Sequence, residues 1–271
     1  MKRITWAMLL AASLQAATVG GAKIHWSSAG NEHSRAVIFV HGWTCDESTW
    51  QEQVPAVSES YRVITIDLPG HGQSDAPIDG KFTVELFARA IESVRAEAKA
   101  NRVVLVGHSM GAPVVRQYAR LFPQHTAALV LVDGVIVRSD QIQRFWSNGT
   151  NSEGPNGLKF REQLIRSMFS SSTTLSEQKH ILSMMLKAPE ATASGAAKSL
   201  ADPSIWKEDV LGLPVLGLYA DHGGRGDRDY LTKLFSSLQY HEIANTGHFL
   251  MLEKPREFNA LLLGFLDKQQ Y

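Results

Sequence analysis

Residues 103–113 read VVLVGHSMGAP: four apolar residues, a serine framed as G-H-S-M-G, then the opening of a helical segment, APVVRQYARLF. A strand that ends in G-x-S-x-G and runs directly into a helix is the context in which this pattern forms a nucleophile elbow. The pattern has a physical reading. Ser109 must leave the strand in a strained backbone conformation if its hydroxyl is to project from the edge of a sheet. Gly107 and Gly111 carry no Cβ, so strand and helix can close around that turn. The helix that begins here also aims the positive end of its dipole at the place where negative charge would develop.

Working outward, KIHWSSAG (23–30) alternates like an edge strand, and RAVIFV and YRVITIDLPGHG are short apolar runs closed by Gly- or Pro-rich loops. TVELFARAIESVRAEAKA places Val84, Phe87, Ile91 and Val94 at helical spacing, with Thr83 as its N-cap. Strand RVVLVG, helix APVVRQYARLF and strand AALVLVD follow. Near the C-terminus come strand PVLGLYA, a helix around YLTKLFSSL, strand QYHEI and helix PREFNALLLGFL. Apolar strands alternating with helices predict a mostly parallel sheet covered on both faces, an α/β fold. Its ligands would bind at the carboxyl ends of the strands.

Between Asp133 and Asp209 the rhythm changes. FREQLIRSMF and EQKHILSMML are amphipathic helical segments without an obvious strand, so 134–209 is read as a helical cap inserted into a core made of 23–133 and 210–271. Phe145, Trp146, Leu164, Met168, Met184 and Met185 are the bulky side chains of that cap that a pocket would meet.

The composition narrows the partners. Charges balance at 27 basic and 27 acidic residues, which leaves no field to draw nucleic acid or anionic lipid; a neutral small molecule fits better. Lys2 and Arg3 precede an apolar run from Ile4 to Ala17 that ends in small residues, the pattern of a secretory signal over 1–22 cut between Ala16 and Ala22. That run falls short of the roughly 20 apolar residues a membrane span needs. The mature protein is therefore expected in a secreted or periplasmic location without stable membrane association. Cys45 is the single cysteine, so no internal disulfide can form.

A hydroxyl alone is a poor nucleophile and needs a base. His248 in NTGHFLMLEKP, after the last strand and before the last helix, supplies it in the order Ser…acid…His. At this point the chain resembles the α/β-hydrolase superfamily in its capped form, through FVHGWTCDESTW (39–50), DLPGHGQSD (67–75), GHSMG (107–111) and GHFLMLEKP (247–255). The resemblance implies an eight-stranded, mostly parallel sheet. It also implies an oxyanion hole made by the backbone N–H groups of Met110 and Trp43. Candidate substrate contacts are Trp43, His108, Phe145, Trp146 and Met168, although His108 should point away from the substrate. The acid is open: Asp133 stands at the tip of one strand, and Asp221 in YADHGG stands two positions early, with Gly223 in the usual place. Asp227 and Asp229 are further candidates.

With serine at the elbow, the resemblance implies acyl transfer to water, most simply on carboxylic esters, without a cofactor or a metal. A lactonase, amidase, carbon–carbon bond hydrolase or perhydrolase uses the same constellation. Readings from other classes are a ligand receptor of the same fold, a metal-dependent hydrolase using His41, His71 and Asp67, and a thiol nucleophile at Cys45.

Overall fold

A computed structural model describes residues 16–134, 136, 140, 153–154, 156–221 and 226–271. Eight strands form one sheet: β1 (Ala16–Val19), β2 (Ala22–Ala29), β3 (Ala36–Val40), β4 (Arg62–Ile66), β5 (Val103–His108), β6 (Thr126–Val132), β7 (Leu211–Ala220) and β8 (Phe235–Ile243). Their spatial order is β1-β2-β4-β3-β5-β6-β7-β8. β1 and β2 are antiparallel to their neighbours, and every pairing from β4 to β8 is parallel. β3, β5 and β6 are buried along their whole length, which is why they read as largely apolar runs rich in Val, Ile, Leu and Ala. The parallel strands present their carboxyl ends together, and the loops after β3, β4, β5, β6, β7 and β8 therefore share one edge.

Helices cover the sheet. α1 (Val54–Ser58) packs with the C-terminal α9 (Pro255–Leu266); α2 (Val84–Glu97) packs on α3 (Gly111–Leu121). Thr83 caps α2 as expected, its hydroxyl accepting the Leu86 N–H at 3.0 Å, and Val84, Phe87, Ile91 and Val94 are buried beneath it. Two expectations change. KIHWSSAG is not the sheet edge, because Ala16–Val19 adds β1 outside it; residues 1–15 of the segment read as a signal lie outside the described residues. The helix around YLTKLFSSL stops at Leu234 as α7 (Arg228–Leu234), and FSSL opens β8 because its backbone pairs with β7.

Between β6 and β7 the described residues hold α4 (Gly157–Arg166), α5 (Leu175–Leu186) and α6 (Glu190–Leu200). α5 carries a capping box between Thr174 and Glu177. α6 escapes a reading by bulky periodicity because its buried face is almost all small, Thr192, Ala193, Ser194, Ala196, Ala197 and Ser199, with Leu200 alone at its end. Small residues let it lie close to the core. A Cβ on Gly195 would stand 2.2 Å from the Phe82 ring. The remaining elements among the described residues are the short α8 (Leu250–Glu253) and 3-10 turns at Glu47–Trp50, Pro123–His125 and Pro203–Ile205.

Candidate active site

The elbow is built as its sequence requires. Ser109 holds φ 53°, the left-handed region, between the end of β5 and the start of α3. Such a conformation costs about 1–3 kcal/mol in a non-glycine residue and persists only where the surroundings enforce it. Here they do: the Ser109 N–H donates to Val132 O at 3.0 Å, tying the turn to β6. A Cβ on Gly107 would fall 2.4 Å from Gly111 O, and one on Gly111 would fall 2.6 Å from Val40 O. Both contacts are with backbone, so neither can yield. Met110 follows as the N-cap of α3, where helix N–H groups have no partner within the helix.

The loop after β3 lies directly against this turn. A Cβ on Gly42 would stand 3.0 Å from Ser109 Cβ. His41 pins the loop, its Nδ1–H donating to Gly42 O at 2.8 Å and its Nε2 accepting the Leu68 N–H at 3.0 Å. Trp43 is buried, and its indole N–H donates to Ala193 O of α6 at 2.7 Å, so the side chain packs under the inserted helices. Asp67 accepts the N–H groups of Glu47 and Gln73, both at 2.8 Å, and His71 Nδ1 meets Pro69 O at 3.1 Å. His41, His71 and Asp67 thus organise loops. Burial lowers the pKa of His41 and brings that of His71 down to about 3, while burial raises that of Asp67. Cys45 is buried, and loss of solvation pushes its thiol up to about 12, the opposite of an activated nucleophile.

His248 and Asp133 meet. His248 Nδ1 lies 2.6 Å from Asp133 Oδ2, with the two residues 3% and 1% exposed. Asp133 sits at φ 40° just beyond β6, and β7 holds it: its N–H donates to Leu218 O at 2.8 Å and its Oδ1 accepts the Ala220 N–H at 3.2 Å. Asp221, the other candidate, instead accepts the N–H groups of Asn245 (2.9 Å) and Thr246 (3.3 Å) and shapes the turn that leads to His248. Asp227 is the N-cap of α7, and Asp229 lies in its first turn. Gly223 lies outside the described residues.

The remaining sequence candidates separate. His108 is fully buried, donates from Nε2 to His248 O at 2.9 Å, and packs its ring 4.6 Å from that of His248. It braces His248, and being fully buried it takes that role in place of the expected substrate contact. Met168 is half-buried, and its carbonyl accepts the His248 N–H at 3.1 Å, a role for the backbone that side-chain chemistry cannot announce. Leu164 packs half-buried on the core, and Met184 and Met185 are buried. Phe145 and Trp146 lie outside the described residues. The inserted helices also touch the loop after β4, where Thr192 Oγ1 donates to Gly70 O at 3.0 Å, so they bridge several loops of the carboxyl edge.

Residues 35–255 match the model of the alpha/beta hydrolase fold family, and the chain belongs to that family. It is 27% identical over 268 residues to the dihydrolipoyllysine-residue acetyltransferase component of the acetoin cleaving system of Pseudomonas putida, spanning 94% of this chain and 69% of that one. It is 25% identical over 259 residues to the AB hydrolase superfamily protein YisY of Bacillus subtilis, spanning 86% and 92%. Among solved structures, a thermophilic esterase from Thermogutta terrifontis superposes with a TM-score of 0.80 at 22% identity, covering 93% of this chain and 97% of that one. At that identity the likeness speaks for the fold, and the fold hosts many chemistries.

Proposed function

We propose that the protein is a serine hydrolase that cleaves carboxylic esters of small molecules through an acyl-enzyme, with Ser109 as nucleophile, His248 as base and Asp133 as acid. The observation that carries this reading is the 2.6 Å contact of Asp133 with His248, in a loop bonded to the residue beside Ser109. A carboxylate on Nδ1–H leaves the Nε2 lone pair of His248 to take the Ser109 proton, and stabilises the cation that results. Ser109 Oγ bonds to the substrate carbonyl carbon, and the carbonyl oxygen takes the negative charge beside the N–H groups of Met110 and Trp43. Collapse expels the alcohol, which leaves with the proton held by His248. Water, deprotonated by His248, then attacks the acyl carbon and releases the acid, returning the proton to Ser109. Each main-chain donor to the oxyanion is worth about 10²–10³ in rate.

The segment 134–209 serves as the cap in this reading, and substrate would enter beneath it. Residues 1–22 serve as a secretory signal, so that the mature enzyme works beyond the cytoplasmic membrane. Among the described residues no helix is long and apolar enough to cross one. A cut after Val19 would remove β1 and leave β2 as the sheet edge; the intact mass of the mature protein reads the position.

Fluorophosphonate labelling with mapping of the adduct tests the mechanism. The label is expected on Ser109 and absent from Ser109→Ala. An adduct elsewhere ends the proposal, and tight ligand binding without labelling would favour a receptor.

A further inference from the structure

The inserted helices and the His248 turn meet at one carboxylate that the mechanism above does not use. Glu253, the last residue of α8, accepts the Gly247 N–H on Oε2 at 2.7 Å. The same oxygen lies 2.7 Å from Ser170 Oγ and 3.0 Å from Ser172 Oγ, and Oε1 accepts from Thr173 Oγ1 at 3.0 Å. All three hydroxyls belong to the connection between α4 and α5. A carboxylate offers about four lone-pair sites, enough for the Gly247 N–H and the Ser170 and Thr173 hydroxyls, while the single Ser172 hydrogen is divided between Oε2 and Asn245 O; two segments thus share one carboxylate. Hydrogen bonds to an ionised acceptor are about twice as strong as neutral ones.

The surrounding contacts show how tight the junction is. Thr173 Oγ1 also accepts the Ser170 N–H at 2.9 Å, and Ser172 Oγ reaches Asn245 O at 2.8 Å. A Cβ on Gly247 would stand 2.7 Å from Met168 O and 2.9 Å from Ser170 N. Only glycine lets the two backbones approach this closely, and the next residue is His248, whose own N–H donates to Met168 O at 3.1 Å. The backbone that carries the imidazole is therefore set by the insertion on one side and by Glu253 on the other.

We infer that Glu253 is a positioning residue for His248: its carboxylate, bridging Gly247 to Ser170 and Thr173, makes docking of the α4–α5 connection a condition for setting the imidazole against Asp133. This rests on the reading of His248 as the base. A small misplacement of a catalytic group is enough to lower a rate by about 10²-fold.

The test separates placement from folding by measuring both the endpoint and the rate constant of fluorophosphonate labelling at Ser109. The endpoint counts folded sites; the rate constant reports how well the base is placed. Glu253→Gln is expected to keep the endpoint and lower the rate constant by about 10–100-fold. The pair Ser170→Ala and Thr173→Ala, which leaves Glu253 untouched, is expected to lower it in the same sense. Combined with Glu253→Gln, the loss should be less than the product of the separate losses, because both act through one junction. If Glu253→Gln loses its endpoint, the hydroxyl pair carries the same measurement. Unchanged rate constants in variants of a protein that labels normally overturn the role of Glu253 alone, as do effects that simply multiply. A wild-type protein that takes no label at Ser109 overturns the hydrolase reading and this inference together.

Discussion

At the scale of single residues, two aspartates stand at neighbouring strand tips and do different work. Asp133 holds the His248 ring, whereas Asp221 holds the backbone of Asn245 and Thr246. Asp133→Asn is therefore expected to lower kcat on an activated acetyl ester by about 10⁴-fold, the loss typical of a triad acid that no longer selects the right tautomer. Asp221→Asn keeps an oxygen that accepts one of the two N–H groups, and should lose far less. Steady-state kinetics on the two variants decide between them, and the reverse ranking would move the acid to β7. Cys45 gives a second outcome. With its thiol pushed up to about 12 by burial, it should resist iodoacetamide at pH 8 in the native protein and react once urea unfolds the chain.

At the scale of elements, the elbow and the helices between β6 and β7 differ in what holds them. β5 and α3 touch through backbone at the elbow, where an added methyl at Gly107 would meet Gly111 O at 2.4 Å. Gly107→Ala is expected to destabilise the protein by at least about 3 kcal/mol, the range of severe overpacking, in urea unfolding. The N-terminus of α5 sits at the surface, and there the capping box alone is lost when Thr174 is replaced. Thr174→Ala should cost about 1 kcal/mol with little change in activity, because Thr174 lies beyond the hydroxyls that bind Glu253.

At the scale of the whole molecule, the loop after β4 buries His71, and burial favours its neutral form. His71 has its pKa brought down to about 3, first by burial and then by the neighbouring His41. The unfolded chain binds a proton there near pH 6.5, and the folded chain does not. The stabilising contribution is therefore fully present above pH 6.5 and lost as the pH falls toward 3. Between pH 7.5 and 5.5 a single such group accounts for about 1.4 kcal/mol of lost stability. Urea unfolding at the two pH values should show His71→Gln losing less than the wild type by about that amount, whatever its stability at pH 7.5. Equal losses would mean that His71 takes up a proton in the fold as readily as in the unfolded chain.

The strands of the sheet centre, the elbow and the helix with Thr83 at its head were all legible in the amino-acid order, because each rests on contacts between residues close in the chain or on uniform burial. α6 was hidden, since all but Leu200 of its buried side is Ala, Thr and Ser, which leave no bulky stripe. By local propensity the start of β8 reads as a continuation of α7, and pairing with β7 turns Phe235 into strand. The Glu253 junction gathers residues 170–173, 247 and 253, and no single stretch displays it.

Local chemistry thus settles where the Ser109 hydroxyl stands: with Gly107 and Gly111 closing strand and helix around it, the turn holds the serine in the left-handed region. The choice of carboxylate is of another kind. β6 and β7 end side by side, and which aspartate faces the imidazole depends on strand register and on the hydrogen bonds that anchor Asp133 to Leu218 and Ala220. Those are relations between residues more than eighty positions apart, and they exist only once the sheet has formed.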